Sequence, residues 1–138
     1  MKILTVGGGG REHAAVEALY RSGGEIYSVM KNANPGIINR AEGYLLCDEK
    51  DVKRICEYAK ENGVGLAFIG PEAPLEVGIV DALENEGILC ASPTKAAARI
   101  ETSKSFMRGL VDKYHIKGNL AYASFDNAKD AEEYVKNV

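Results

Sequence analysis

Short apolar runs recur along the chain at residues 3–6, 26–30, 44–46, 66–69 and 88–91, each bounded by Gly, Pro or charged residues. Brief runs that are apolar at consecutive positions predict strands buried on both faces. Between them the apolar positions fall at helical spacing. Ala14, Ala15, Ala18 and Leu19 share one helix face, as do Val52, Ile55, Cys56 and Ala59, and then Ile79, Val80 and Leu83. The stretch 37–43 suits either a short helix or a loop. Strand alternating with helix implies right-handed crossovers and an α/β domain over residues 1–92, with a doubly wound, five-stranded parallel sheet covered by helices on both sides.

After Ala91 the pattern changes. Residues 94–100 and 103–114 read as consecutive helices, the second carrying Phe106, Met107, Leu110, Val111 and Tyr114 on one stripe. They define a helical junction over 93–118. Residues 120–124 are strand-like, and 127–138 form a helix with Ala128, Ala131, Tyr134, Val135 and Val138 on its apolar side. That stripe still runs at Val138 with no capping signal, so residues 119–138 are expected to open a second domain whose remainder is missing.

Composition narrows the function classes. The 138 residues are 46% hydrophobic and 27% charged with a net charge of −3, and the basic residues are scattered, which argues against a nucleic-acid surface. No apolar run approaches the roughly 20 residues of a membrane span, and the chain opens on a strand without a signal-peptide layout, so a cytoplasmic address is expected. Cys47, Cys56 and Cys90 include no CxxC pair and read as reduced core residues. No metal-ligand cluster is predicted.

The candidate chemistry lies at the ends of two strands. Gly7, Gly8, Gly9 and Gly10 follow the first strand directly, and Arg11, Glu12 and His13 open the first helix, so bare backbone N–H groups and the positive helix end face one small region suited to phosphate, the alternative being a tight strand-to-helix turn with Arg11 solvated. A nicotinamide fingerprint is disfavoured, because Glu12 occupies the third glycine position and no acid follows the second strand. A P-loop is excluded by the lack of Gly-Lys-Ser/Thr. The fourth strand ends in Gly70, Pro71 and Glu72, followed by Ala73, Pro74 and Leu75, which predicts a proline-stiffened loop carrying a carboxylate. With strand order 3-2-1-4-5 these two loops flank the topological switch point, where open α/β sheets bind ligands. The polar stretch 32–36 lies on the same edge and by itself reads as a turn. His13 has no Ser or Cys partner and reads as a packing residue. Lys104, at a helix start, is unfavourable with the helix dipole unless an anion compensates.

Together, Gly-Gly-Arg-Glu-His at 9–13, Gly-Pro-Glu-Ala-Pro-Leu at 70–75, Val-Gly-Ile-Val-Asp at 77–81, Ser-Pro-Thr at 92–94 and Ser-Lys-Ser-Phe at 103–106 resemble the phosphoribosylamine–glycine ligases in order and spacing. The resemblance implies a Rossmann-like pre-ATP-grasp domain followed by the start of an ATP-grasp region. It further implies an ATP-dependent ligase of purine biosynthesis that joins glycine to 5-phosphoribosylamine through glycyl phosphate, with Mg2+ or Mn2+ at the nucleotide. Carried over by position, Gly9, Gly10, Arg11, Glu12, Gly70, Pro71 and Glu72 would line the phosphoribosylamine crevice, and Lys104 would reach ATP phosphate. Gly-Gly-Gly-Gly stands where the family commonly has Gly-Asn-Gly-Gly, and Asn34-Pro35-Gly36-Ile37 only loosely matches Pro-Gly-Asn-Ala-Gly. The ATP-grasp flap, the adenine segment and the family's metal ligands lie beyond the equivalent of Val138. The chain alone is therefore expected to be inactive, to carry no catalytic residue, to bind no cofactor tightly and to need the missing ATP-grasp domains as partners. The rival readings are a free-standing phosphosugar-binding or interaction module and a small nucleotide-dependent oxidoreductase.

Overall fold

The computed structural model describes residues 1–137. The chain divides into two compact units, Met1–Thr102 and Ser103–Val138. In the first, β1 (Lys2–Val6), α1 (Gly10–Arg21), β2 (Glu25–Met30), α2 (Pro35–Ile38), β3 (Ala41–Leu46), α3 (Val52–Glu61), β4 (Leu66–Ile69), α4 (Glu72–Glu76), α5 (Ile79–Asn85), β5 (Leu89–Cys90) and α6 (Lys95–Thr102) follow in order. The sheet runs β3-β2-β1-β4-β5 and every pairing is parallel. This is the doubly wound arrangement expected from the alternating pattern.

Because successive strand residues point to opposite faces, β1 and β2 serve two cores at once. Leu4, Val6 and Val29 belong to one, with Ile55, Ala59, Val80 and Leu83 from α3 and α5. Ile3, Ile26 and Met30 belong to the other, with Val16 of α1 and Ile37 of α2. Thr5 and Ser28, register partners on neighbouring strands, are fully buried, and their hydroxyls bond each other at 2.7 Å. Thr5→Val leaves the Ser28 hydroxyl without that partner and is expected to cost about 1–2 kcal/mol. The double change with Ser28→Ala should cost less than the two single losses added, as urea unfolding of the three variants would measure.

Only the central strands are buried on both faces. β3 alternates, with Tyr44 and Leu46 exposed, and β5 shrinks to two residues with Leu89 exposed. Both are edge strands, and the apolar run alone does not distinguish an edge from a centre. The face assigned to α1 also differs. Ala14 and Ala18 are exposed, whereas Ala15 is half-buried, Leu19 packs against the core, and Glu12 and Val16 are buried. The ambiguous stretch 37–43 divides between the end of α2 and the start of β3.

The helix α6, grouped with the junction in the sequence reading, lies within the first unit, where it packs on α4 and α5. The second unit contains α7 (Lys104–Lys113) and α8 (Ala128–Lys136). Ser103 and Asn127 cap these helices by accepting from Phe106 N and Asp130 N. Residues 120–124 are not a strand: a strand needs a ladder to join, and the second unit has no other among the described residues. Asp112 instead ties this segment to α7 by accepting from Asn119 Nδ2 and Tyr122 OH, both at 2.8 Å. The apolar side assigned to the last helix extends to Val138, which lies outside the described residues.

Candidate functional site

Val6 and Ile69 are register partners, so the chain leaves β1 and β4 side by side at the C-terminal edge of the sheet. Gly70 N donates to Val6 O at 3.1 Å and Gly7 N to Val29 O at 2.8 Å, which anchors both loops to the strand ends. Gly7 turns the first loop with φ of +120°, a conformation side chains rarely adopt. Gly9 is the N-cap of α1, and Gly10 and Arg11 form its exposed first turn. Pro71 caps α4 and Glu72 is its first residue, so a short helix stands where the sequence predicts only a stiff loop.

The predicted residues of the two loops therefore converge. Arg11 Nη2 donates to Glu72 Oε1 at 3.2 Å across the gap. Glu12, by contrast, is only 4% exposed, and its Oε2 accepts from Gly9 N at 2.8 Å. An acid in the first turn is favourable with the helix dipole. Its other oxygen, Oε1, is buried without a hydrogen-bond partner. Gly8, Gly9, Glu12 and Pro71 line a cleft of about 280 Å3, with Lys31, Asn32 and Glu49 on its further side.

Sequence reasoning missed three contributors. Asn34 ties the third loop to the first: its Nδ2 donates to Gly8 O at 3.0 Å, while its Oδ1 accepts from Gly36 N and Ile37 N to cap α2. An Asn before Pro at a helix start was the available signal. Glu49 accepts from Lys31 N at 3.1 Å, closing the outer wall. Glu101, from α6, bears on both Arg11 and Glu72. Nothing near these positions in the sequence announces either acid. His13 lies against Gly36 and 3.9 Å from Glu17, a packing position.

Glu72 is held below the ordinary carboxylate value by its own backbone N–H first and then by the Arg11 side chain, and the Arg11 guanidinium is raised in turn, chiefly by its hydrogen bond to Glu72. A depressed carboxyl favours the folded state above its unfolded value, and that contribution is lost as pH falls through the lower folded value. The pair is exposed, so the effect on stability is small. In a carboxyl-carbon NMR titration the Glu72 midpoint is expected below 4.5, the ordinary value, and Arg11→Gln should raise it without restoring it fully, because the backbone N–H remains.

Lys104 falls in the second unit, exposed in the first turn of α7, beside Ser105, Arg108 and Tyr122. Among the described residues no group of three or more His, Cys, Asp or Glu is placed to hold a metal ion. Among those residues no helix is long and apolar enough to cross a membrane.

An open parallel sheet of order β3-β2-β1-β4-β5, whose two inner loops meet at the switch point, defines an α/β domain of the doubly wound class. Residues 1–101 match the family described as phosphoribosylglycinamide synthetase, N domain, and the chain belongs to that family. It is 54% identical over 99% of its length to a phosphoribosylamine–glycine ligase of Methanoregula boonei and 50% identical over 98% to one of Thermococcus gammatolerans. It spans 32% and 31% of those relatives, about a third of their length. Among solved structures, glycinamide-RNase-transformylase T from Mycobacterium tuberculosis superposes with a TM-score of 0.76 at 15% identity, over 98% of this chain and 38% of that one. Phosphoribosylglycinamide synthetase from Anaerococcus prevotii gives 0.69 at 17% identity, over 99% and 34%. At those identities the two structures support the fold alone.

Proposed function

We propose that the chain forms one wall of the phosphoribosylamine site of a cytosolic ATP-dependent ligase that joins glycine to 5-phosphoribosylamine. In that reaction the glycine carboxylate displaces ADP from the terminal phosphorus of ATP to give glycyl phosphate. The amine of phosphoribosylamine then attacks the acyl carbon, and phosphate leaves to give glycinamide ribonucleotide. Activation turns a poor electrophile into a good one, and charge stabilisation at the phosphates carries much of the catalysis. The divalent metal and most of the ATP contacts belong to the remaining two thirds of the relatives' length. Lys104 is the one ATP-phosphate contact assigned to this chain.

The observation that carries this reading is the meeting of residues Gly9, Gly10, Arg11 and Glu12 with Gly70, Pro71 and Glu72 at the switch point, closed by the Arg11–Glu72 pair. Glu49, in the cleft wall, and Glu72 and Glu101, which bear on Arg11, offer acceptors to the hydroxyl and amine donors of the sugar. The first-turn amides of Gly10 and Arg11, which have no intrahelical partner, and the Arg11 guanidinium remain for its phosphate.

The test is a residue-resolved NMR titration with glycinamide ribonucleotide, run in parallel with ATP and magnesium. Shifts at Gly10, Arg11, Gly70 and Glu72 with the ribonucleotide alone are expected. Resonances that stay fixed would remove these residues from the site. The 138-residue chain by itself is expected to form no ADP from ATP when given glycine and phosphoribosylamine, and turnover in that assay would contradict the proposed division of labour.

A further inference from the structure

We propose that Glu12 is a positioning residue that sets the spacing of the two crevice loops and withdraws the Gly9 amide from the ligand. Its Oε2 takes the Gly9 N–H at 2.8 Å. A Cβ built on Gly7 would meet Glu12 Cγ at 2.6 Å, one on Gly9 would meet Oε2 at 2.6 Å, and one on Gly70 would meet Cγ at 2.5 Å. A single buried side chain thus lies against both loops at once, where Gly7, Gly9 and Gly70 leave it room. A side chain so enclosed cannot change rotamer without moving Gly9 or Gly70. The Arg11–Glu72 contact, which spans the same two loops, inherits the spacing that Glu12 imposes. With the Gly9 amide taken and the Glu12 carboxylate spent on it, the first-turn amides of Gly10 and Arg11, which have no intrahelical partner, are the ones left for a ligand. This assignment of ligand contacts rests on the phosphosugar reading of the crevice, whereas the loop spacing does not.

Amide hydrogen exchange and 15N shifts of the chain and of its Glu12→Gln, Glu12→Asp and Glu12→Ala variants test the proposal without ligand. Gln keeps the length and an accepting oxygen, whereas Asp keeps the charge but is one methylene short. Exchange at Gly9 is expected to quicken about tenfold or more in Glu12→Asp and Glu12→Ala, and to stay within about twofold of the parent in Glu12→Gln. The Gly70 resonance should move in the first two variants and hold in the third. Gly9 protection in Glu12→Asp equal to the parent's, or a Gly70 resonance that does not respond, overturns the proposal. Should Glu12→Ala fail to fold, the Asp and Gln pair decides.

A ligand arm separates positioning from contact. Affinity for glycinamide ribonucleotide should fall about tenfold in Glu12→Asp and be rescued in Glu12→Gln. An equal loss in Glu12→Gln marks a carboxylate that binds ligand itself and overturns the proposal. If the parent chain binds no ribonucleotide, the phosphosugar reading fails, and the exchange data still decide the role of Glu12.

Discussion

Alanine in place of Gly7 is expected to destabilise the chain by about 3 kcal/mol, from two sources that act together. The backbone there has φ of +120°, which an L side chain adopts only under strain. The added methyl would also meet Glu12 Cγ at 2.6 Å and the Pro71 ring at 2.8 Å, and neither can retreat, because one is buried beneath the loop and the other caps α4. Gly10→Ala is the matched control. No atom lies within 4 Å of its Cβ position and the residue is already helical, so that change should stay within about 0.5 kcal/mol of the parent. Urea unfolding of both variants gives the comparison. A Gly7→Ala loss no larger than the Gly10→Ala change would mean that the loops are not packed as described.

Leu4→Ala should cost about 3 kcal/mol for a different reason. Leu4 is fully buried on the central strand, in the cluster that α3 and α5 cover, so truncation removes buried methyl groups and leaves a cavity in a close-packed core. The midpoint of urea unfolding should fall with little change in slope, because the surface exposed on unfolding is nearly the same. Leu89→Ala, on the edge strand β5 where the side chain is 71% exposed, should change the midpoint far less.

The sheet was legible in the sequence because β1, β2 and β4 are apolar at nearly every position over short runs, as a parallel strand covered on both faces requires. Edge strands were harder to read. Tyr44 and Leu46 look like core residues in a string of letters, and their exposure follows from β3 having a neighbour on one side only, a fact of strand order. The face of α1 was misread because Glu12 breaks the apolar stripe: a carboxylate in a first turn ordinarily meets water, and this one is buried only because glycines from two loops leave room beneath them. Residues 120–124 have strand composition, but composition supplies no partner. At the crevice, the converging loops were recognisable from position in the fold. The contribution of Asn34 was not, because its link to Gly8 O joins loops that are 26 residues apart.

The place of β1 at the middle of the sheet also bears on the order of events in folding. β1, β2 and β3 pair through crossovers that are short in sequence, whereas β1 meets β4 only after a segment that includes α1, β2, α2, β3 and α3 has been gathered up. Loop-closure entropy makes that second pairing the later one. The crevice straddles this seam, with Gly7 to Glu12 on one half and Gly70 to Glu72 on the other. An intermediate in which the first three strands have assembled would already show native-like helix and sheet, yet have no crevice. In a refolding experiment, the ability to bind ligand should accordingly return with the last cooperative phase and not with the recovery of secondary structure.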